Sequence, residues 1–358
     1  MTPYGKRSDT TVHEREPFNA EPSRAALAEN SVTPLDAFYV RGHGAVPEID
    51  AAAWRLRVGG LVERELELGL DDLRGLPHIE LPVTLQCAGN RRADLIAVRD
   101  IPGEAPWGPG ATGTAVWGGV SLADVIAQAA PEENARFVGF EGADRSREID
   151  PPELYGSSIP IHKAREPETL LAWSMNGEPL PAVHGGPVRA VVPGYIGARS
   201  VKWLRRVELR SEPWHGYFQS TAYRLLPPGV EPGYGVGMEL GKVAVNSDVL
   251  VPPDGAVVAA GQLEARGYAF AGGRRQVERV DVSLDGGREW RQAELLEDLG
   301  PWAWRLWRMD LELEPGDHEI VVRAWDSAAG TQPEDPAGSW NPKGYANNSW
   351  GRARVTAV

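Results

Sequence analysis

The sequence has 358 residues, which is long enough for two domains of ordinary size. Its net charge of −13 at pH 7 disfavours binding to nucleic acid or to an anionic membrane surface, so a small anionic substrate would need a local basic pocket. With 30 prolines, 41 glycines and 13 tryptophans, the composition indicates a turn-rich and strand-rich protein and excludes a helical bundle.

Cysteine usage and hydropathy exclude several classes of protein. Cys87 is the one cysteine, so the sequence has no intrachain disulfide, no CxxC metal site and no CxxCH haem attachment, and no haem is predicted in this chain. No segment approaches the roughly 18–20 apolar residues of a membrane span. Met1 to Asn30 is charged throughout and lacks the apolar core of a signal peptide. We therefore expect a cytoplasmic location, or a periplasmic one if the sequence is a processed form.

The first part of the chain mixes strands with short helices. Residues 1–35 are polar and are predicted to wrap over a surface with little structure of their own. Trp54 to Val62 alternates with period two and contains a glycine pair, which is typical of a strand and turn. Leu70 to Leu76 is a short helix candidate. Ser121 to Ala129 is the clearest helix, with Ser121 as its cap and an apolar face of Leu122, Val125, Ile126 and Ala129.

The last third of the sequence has an all-β pattern. Arg224 to Gly241 is rich in Pro and Gly and is predicted to be a linker. Val280 to Leu284 alternates apolar and polar residues and then meets the hairpin signal Asp285-Gly286-Gly287, and His318 to Trp325 is another strand. About seven such segments indicate a β-sandwich. The predicted fold class is α+β, with a mixed α/β domain over residues 1–235 and an immunoglobulin-like sandwich over residues 236–358.

The segment around the cysteine, Leu81 to Arg92 (LPVTLQCAGNRR), is the most informative. A strand delivers Cys87 to a tight Gly-Asn turn, and two arginines follow. An electropositive setting favours the thiolate, and with it metal ligation or nucleophilic chemistry. Taken alone, the segment leaves open a second interpretation, because a lone cysteine is commonly a small buried apolar residue.

This segment resembles the cofactor-cysteine segment of the sulfite oxidase family. A longer stretch also matches that family in the same order along the chain, through LLAWSMNGEPLP at 170–181, HGGPVR at 184–189 and VPGYIGARSVKW at 192–203. The resemblance extends from about Phe38 to the C-terminus, through Trp304 to Trp307 and Trp340-Asn341. It therefore covers nearly all of the chain.

The resemblance implies a molybdenum–molybdopterin cofactor with Cys87 as the single protein ligand to the metal. A phosphate-bearing anionic cofactor needs fixed cationic donors, and a Gly- and Pro-rich stretch can bring backbone N–H groups close to it. Carried over residue by residue, the cofactor-binding set comprises Tyr39, Val40, Arg41, Gly42, His43, Cys87, Asp144, His184, Arg189, Ser200, Val201 and Lys202.

The resemblance also implies a substrate site for sulfite, an oxyanion that requires several guanidinium groups in a dehydrated pocket. The substrate residues would be Arg41, Arg92, Trp107 and Arg305, and the catalytic residues Cys87, Tyr223, Arg41 and Arg92. The phenol of Tyr223 is expected to donate a hydrogen bond to an oxo group or bound oxyanion. Strand alternation puts Arg305 on the face opposite Trp304, and we expect it to point towards the cofactor domain.

Two positions depart from the family pattern. Gly42 stands between Arg41 and His43, where an asparagine is usual, which is expected to loosen a hydrogen bond on the pterin side. Ala222 precedes Tyr223, where many relatives have an acidic residue, so we expect a more positive site with a shifted pH profile.

The implied activity is oxidation of sulfite to sulfate by oxygen-atom transfer, with electrons leaving to an external acceptor, a cytochrome or dioxygen. The implied assembly is a homodimer paired through the sandwich, where Trp325, Trp340 and Trp350 could lie at an interface or in the core. Three alternatives remain: nitrate or sulfoxide reduction on the same scaffold, the molybdenum subunit of a two-component sulfur-compound dehydrogenase, and a catalytically silent subunit that binds partners through its sandwich.

Overall fold

A computed structural model describes residues 2–146 and 148–358 of the chain. Its helices are short. The α-helices are α1 Arg24–Ala28, α2 Leu70–Arg74, α3 Arg92–Val98, α4 Leu122–Ala129 and α5 Ile161–Ala164. Single turns of 3-10 helix occur at Pro3–Gly5, Ala182–His184, Gly197–Arg199 and Pro336–Ser339, and a π-helical turn at Phe218–Ala222. Within the described ranges, no helix combines the length and apolarity needed to cross a bilayer.

Strands make up most of the regular structure. In the first part of the chain they are β1 Thr11–Arg15, β2 Phe18–Glu21, β3 Leu56–Gly60, β4 Leu66–Leu68, β5 His78–Gln86, β6 Thr112–Ser121, β7 Phe137–Arg145, β8 Leu154–Pro160, β9 Leu170–Met175, β10 Glu178–Pro179, β11 Arg189–Val191 and β12 Leu204–Arg210. They continue as β13 Arg224–Leu225, β14 Met238–Glu239, β15 Asn246–Val251, β16 Ala256–Val258, β17 Gly261–Phe270, β18 Val277–Ser283, β19 Arg291–Gln292, β20 Glu294–Leu295, β21 Arg305–Leu313, β22 Gly316–Asp326 and β23 Gly351–Ala357.

Two β-sheets form the first domain. One has the order β10-β9-β6-β5, with β11 paired to β9, and the other the order β4-β3-β12-β7-β8, in which β12 runs parallel to β3. Helix α4 has the predicted features: the Ser121 hydroxyl accepts a hydrogen bond from the Ala123 N–H, and its apolar face is buried. The prediction of a mixed α/β domain is confirmed.

The N-terminal segment has more structure than the sequence pattern predicted. Strands β1 and β2 form a hairpin whose second strand, Phe18–Glu21, is buried throughout, and α1 follows. The buried Glu21 carboxylate accepts hydrogen bonds from the backbone N–H groups of Gly108 at 2.7 Å and Gly110 at 2.9 Å. The expectation of little structure over residues 1–35 was wrong because polar side chains here pair with loop backbone groups instead of with water.

The second domain is a sandwich of two sheets, with strand orders β15-β17-β21-β20 and β16-β23-β22-β18-β19. Strand β21 shows the alternation that a half-buried strand requires: Trp307, Met309 and Leu311 are buried, while Arg308 and Asp310 are exposed. The hairpin signal at 285–287 lies between β18 and β19, which pair antiparallel. The predicted immunoglobulin-like sandwich is therefore confirmed.

The predicted linker is a small hairpin, since β13 pairs with β14, and residue 235 lies in its loop. The sandwich packs against the end of β5. The guanidinium of Arg91 is buried there and donates hydrogen bonds to the carbonyls of Ser349 at 2.7 Å and Ser247 at 3.0 Å, while Asp248 lies 3.0 Å from its Nε. The first domain is thus fixed to the second next to the turn that carries Cys87.

Candidate active site

A pocket of about 630 Å³ opens where the Phe38–His43 segment meets the end of β5. Every residue of the cofactor-binding set carried over from the resemblance is in its wall. The full lining is Phe38, Tyr39, Val40, Arg41, Gly42, His43, Leu85, Cys87, Asp144, Tyr155, His184, Arg189, Gly197, Ala198, Ser200, Val201, Lys202 and Tyr223.

Cys87 sits in a tight turn directly after β5. Its backbone N–H donates to the carbonyl of Ala111 at 2.9 Å, its carbonyl accepts from the Asn90 N–H at 3.1 Å, and its Sγ accepts from the Gly89 N–H at 3.4 Å. A Cβ on Gly89 would lie 2.5 Å from the Arg92 guanidinium, so a larger residue there would displace that side chain. Cys87 also contributes to the wall of a groove between the two domains.

The thiol has no ready-made set of protein co-ligands. Among the residues that the structure describes, no group of three or more His, Cys, Asp or Glu side chains is placed to hold a metal ion. A metal bound at Cys87 would therefore depend on ligands from outside the protein. This geometry suits a metal carried by an organic cofactor and does not suit a site built from side chains alone.

Buried cations line the deep side of the pocket. Arg189 donates to the carbonyls of His184 and Ser200, both at 2.8 Å, and Lys202 donates to the carbonyl of Arg41 at 2.9 Å. Burial lowers the pKa of Arg189 to about 10, with a small opposing effect from Tyr39. Burial likewise lowers the pKa of Lys202 and that of His184. Buried positive groups without counter-charges are costly, so this region favours an anionic ligand.

Asp144 is the one carboxylate in the described wall of the pocket. Burial raises its pKa, and the charge of Lys202 opposes that shift. Its Oδ1 is buried and has no hydrogen-bond partner. A buried carboxylate oxygen without a donor is rare in folded proteins, so Asp144 is suited to accept hydrogen bonds from a ligand.

Arg41, His43 and Tyr223 meet at the other side of the pocket. The Nε2 of His43 lies 2.8 Å from the Tyr223 hydroxyl, and its Nδ1 lies 2.5 Å from Glu148 Oε1. The Arg41 Nη2 donates to the same Glu148 oxygen at 3.3 Å. Glu148 thus brings a carboxylate to the site, although Ala222 stands where many relatives have an acidic residue.

Gly42 does not leave a gap in this segment. Its N–H donates to the Asn19 side-chain carbonyl at 2.8 Å, and Arg41 Nη1 lies 3.4 Å from the same oxygen. An asparagine from the β1–β2 hairpin therefore supplies an amide group next to Gly42.

Arg92 and Trp107 lie beside this pocket but outside its wall. The Arg92 guanidinium lies 5.2 Å from the centre of the Tyr345 ring, which stacks on the Tyr223 ring at 5.4 Å, and it pairs with Glu104 at 3.2 Å. Trp107 is fully buried in the same apolar cluster as Cys87, and its Nε1 has no partner. One aromatic ring thus separates Arg92 from Tyr223.

Comparison with known proteins gives the same assignment. Residues 43–218 match the model of the oxidoreductase molybdopterin binding domain, and residues 239–358 match that of the Mo-co oxidoreductase dimerisation domain. Sulfite oxidase of Gallus gallus is 44% identical over 355 residues, which cover 95% of this chain and 76% of that protein. The chain belongs to the sulfite oxidase family.

Two further comparisons set the extent of this likeness. The mitochondrial sulfite oxidase of Mus musculus is 41% identical over 97% of this chain, and the chain spans 65% of its length. The crystal structure of the sulfane dehydrogenase SoxCD from Paracoccus pantotrophus superposes with a TM-score of 0.83 at 24% identity, covering 99% of this chain and 91% of that one. The predicted fold, a molybdopterin-binding domain followed by a β-rich second domain, is thus confirmed.

The residues of the pocket fit the molybdopterin cofactor of this family. The cluster of Arg189, Lys202 and His184 suits an anionic group, and Asp144 Oδ1 and Trp107 Nε1 are buried polar atoms without partners in or next to the pocket. Cys87 supplies a single thiol at the edge. The buried charges and the polar atoms without partners would be costly if the pocket were filled only by apolar side chains.

The expected direction of Arg305 was wrong. Its Nη1 pairs with Asp298 at 3.1 Å and its Nη2 donates to the Leu296 carbonyl at 2.7 Å, both within the sandwich, while its Nε has no partner. Alternation does place it opposite Trp304, but it is Trp304 that faces the first domain, where its indole Nε1–H donates to the carbonyl of Ser31 at 2.8 Å. The Trp304 indole packs at the interface, and the Arg305 guanidinium pairs with the exposed Asp298 carboxylate.

Replacing Arg305 by alanine is expected to change the KM for sulfite less than about twofold, because its guanidinium bonds within the sandwich and lies outside the pocket wall. Steady-state kinetics of the cofactor-loaded variant would measure this. Arg308→Ala, on the same strand and paired with Glu294 at 2.8 Å, is the matched control. A rise in KM of about tenfold for Arg305→Ala alone would require that Arg305 act on the substrate, against its position here.

Several residues next to the site are absent from the set that the sequence predicted. Lys343 pairs with Glu104 and its carbonyl accepts from Arg92 Nε at 3.0 Å, and buried Tyr345 joins Arg92 to Tyr223. Both follow directly after Trp340-Asn341, so extending that match by four residues would have found them. Glu148 lies in a polar loop with no such signal.

Lys6, from the N-terminal segment, is buried behind the pocket. Its Nζ donates to the carbonyls of Leu35 at 2.5 Å and Phe38 at 2.8 Å and lies 2.9 Å from His184 Nε2. Burial lowers the pKa of Lys6 from 10.5 to about 7, against the charge of Asp36. The sequence offered only the Lys6-Arg7 pair, without a reason to place it here.

Lys6 is expected to make stability depend on pH. Since its folded pKa is below its ordinary value, the unfolded chain binds more protons between pH 7 and 10.5, and the free energy of unfolding rises with pH across that window. Lys6→Met should remove up to about 1.4 kcal/mol per pH unit of this slope. Urea unfolding of the cofactor-free protein would measure it, with exposed Lys242→Met as control. Parallel slopes for wild type and Lys6→Met would contradict the prediction.

Proposed function

We propose that this chain oxidises sulfite to sulfate at a molybdenum–molybdopterin centre and passes the electrons to an external acceptor. When bound, the cofactor supplies the oxygen-atom transfer and the two-electron redox chemistry, in which sulfite and water give sulfate, two protons and two electrons. One observation carries the proposal: Cys87 lines a pocket whose arginine and lysine side chains, Arg41, Arg189 and Lys202, outnumber the one carboxylate of its described wall, Asp144.

The cofactor would be held by three kinds of group. Cys87 would ligate the metal, and Arg189, Lys202 and His184 would neutralise the anionic part. Asp144 would accept hydrogen bonds. Backbone and side-chain groups from two segments complete the proposed set: Tyr39, Val40, Arg41, Gly42, His43, Ser200 and Val201.

The substrate oxyanion would bind between Arg41 and Arg92, with Tyr223 beside it and Trp107 as part of the wall. The stack of Arg92, Tyr345 and Tyr223 supports this placement, since it joins the second guanidinium to the pocket through one ring. We add Lys343 to the set, because its carbonyl and its ammonium group both lie next to Arg92 and Glu104. Arg305 is left out of it.

The match of residues 239–358 to the dimerisation domain supports a homodimer paired through the sandwich. We propose domain limits of 1–235 and 236–358, and an external acceptor that is a cytochrome or dioxygen.

Sulfite-dependent reduction of ferricyanide by purified protein of known molybdenum content tests the proposal. Saturable turnover with sulfite, and none with nitrate or a sulfoxide as acceptor, is the expected result. A molybdenum-replete sample that turns over nitrate or a sulfoxide but not sulfite would overturn the substrate assignment and would leave the cofactor assignment intact.

A further inference from the structure

Glu148, His43 and Tyr223 form a hydrogen-bonded chain that ends in the pocket. Glu148 Oε1 lies 2.5 Å from His43 Nδ1, and His43 Nε2 lies 2.8 Å from the Tyr223 hydroxyl. The imidazole is 7% exposed and packs against the rings of Tyr155, stacked at 5.2 Å, and Phe218 at 4.3 Å. Because the ring is buried and each of its nitrogens has a partner, Nδ1 faces Glu148 and Nε2 faces Tyr223.

Two groups compete for Nδ1. The Arg41 Nη2 lies 3.1 Å from it and can only donate, whereas the ionised Glu148 carboxylate can only accept. Burial, together with the charge of Arg41, lowers the pKa of His43 to about 4 against the opposing effect of Glu148, so the ring is neutral and carries one N–H. Burial alone would raise the pKa of Glu148, but its hydrogen bond to His43 and the charge of Arg41 lower it to about 2.

The shorter contact decides which nitrogen carries the proton. With Glu148 in place, Nδ1–H donates to the carboxylate, and Arg41 Nη2 donates to the same carboxylate at 3.3 Å. Nε2 is then an acceptor, and the Tyr223 hydroxyl donates to it. The phenolic oxygen is left with its lone pairs free towards the pocket. This differs from the expectation that Tyr223 donates to a bound oxyanion.

We propose that Glu148 is a positioning residue that, by fixing the tautomer of His43, makes Tyr223 a hydrogen-bond acceptor in the pocket. Without Glu148, Arg41 donates to Nδ1, the ring proton moves to Nε2, and Nε2–H donates to the phenolic oxygen. The Tyr223 O–H then turns into the pocket as a donor. The other charged groups that act on these residues, Lys202 on His43 and Glu104 on Tyr223, are the same in both states.

The tautomer can be measured directly, without reference to activity. The full chain, loaded with its cofactor and labelled with ¹⁵N at histidine, would be compared by NMR with Glu148→Ala, and His43→Gln would assign the resonance. We expect a protonated Nδ1 and an unprotonated Nε2 in the wild type, and the reverse in Glu148→Ala. Glu148→Asp should restore the wild-type pattern, and Asp150→Asn, an exposed residue of the same loop, should leave it unchanged.

A second variant separates the role of Glu148 from that of its neighbour. In Tyr223→Phe the phenol is lost but Glu148 remains, so Nδ1 should stay protonated. A wild-type ring protonated at Nε2, or a Glu148→Ala ring still protonated at Nδ1, would overturn the proposal. These outcomes are independent of whether the protein turns over sulfite.

A kinetic consequence rests on the proposed function. A Tyr223 that donates into the pocket should hold a fully deprotonated oxyanion more tightly, so the inhibition constant of sulfate should fall about fivefold in Glu148→Ala, the effect of one ordinary hydrogen bond. Tyr223→Phe combined with Glu148→Ala should abolish that gain. Equal inhibition constants in wild type and Glu148→Ala, in samples with active sulfite turnover, would contradict the assigned direction of the Tyr223 hydroxyl.

Discussion

Replacing Cys87 by serine is expected to reduce sulfite turnover per bound molybdenum by more than about 100-fold. Loss of a group that only orients a metal ligand commonly costs 10–100-fold, and loss of the protein ligand itself should exceed that. The serine hydroxyl keeps the size and the contact to the Gly89 N–H, but it does not replace a soft thiolate as a ligand. Ferricyanide reduction would be measured against molybdenum and pterin content.

Measuring the pterin content distinguishes a variant that has lost only the metal ligand from one that no longer binds the cofactor. The cationic residues that would bind the cofactor are unchanged in Cys87→Ser, so the variant should retain pterin close to the wild-type amount. Because Cys87 is the one cysteine of the sequence, alkylation of the wild type reports its state without interference. The thiol should be protected in loaded protein and react in cofactor-free protein. Wild-type turnover in Cys87→Ser would remove the metal-ligand assignment.

The fold was predictable where side-chain periodicity reflects burial on one face. Helix α4 had both a serine cap and an apolar stripe, and β22 buries the alternate residues Ile320, Val322 and Ala324. In β18 the alternation did not predict burial, because the polar Asp281 and Ser283 are buried as well as the valines. The N-terminal hairpin had no such periodicity. It is ordered by Glu21, whose carboxylate binds the backbone of a loop 87 residues away, and composition does not report long-range pairing of this kind.

Site residues were predictable where several of them lie in one continuous sequence motif. Cys87 came from one such motif and His184, Arg189, Ser200, Val201 and Lys202 from another, and all six line one pocket. Arg305 was misplaced because alternation tells which residues share a face of a strand, but not which face meets the other domain. There the Trp304 side chain takes the face towards the first domain, where its indole donates to the Ser31 carbonyl.

Glu148 and Lys6 lie next to the site, but no sequence motif identifies them. Each reaches the site from a polar segment and contacts a histidine that is distant in sequence. Glu148 and His43 are 105 positions apart, and Lys6 and His184 are 178 positions apart. In both cases the ordinary expectation for a charged residue is a solvated surface position. Only the three-dimensional arrangement shows that they act on the histidines of the pocket.

Replacing Lys202 by methionine is expected to lower the pterin and molybdenum content of purified protein by at least about tenfold. A charge-assisted hydrogen bond contributes roughly 1.5–3 kcal/mol, which corresponds to a factor of about 10–150 in affinity. In the absence of the cofactor, burial disfavours the Lys202 charge, so the variant should unfold at a temperature no lower than that of cofactor-free wild type. Cofactor content and thermal unfolding of the cofactor-free protein would be measured together.

Lys163→Met is the matched control for this variant. Lys163 is 3% exposed, and burial lowers its pKa as it lowers that of Lys202, but Lys163 pairs with Glu166 and lies outside the pocket wall. If burial of any lysine were enough to support cofactor binding, both variants would lose cofactor. If the charge of Lys202 binds the anionic part of the cofactor, only Lys202→Met will lose cofactor. Full cofactor content in Lys202→Met would instead show that Arg189 and His184 hold the anion without Lys202.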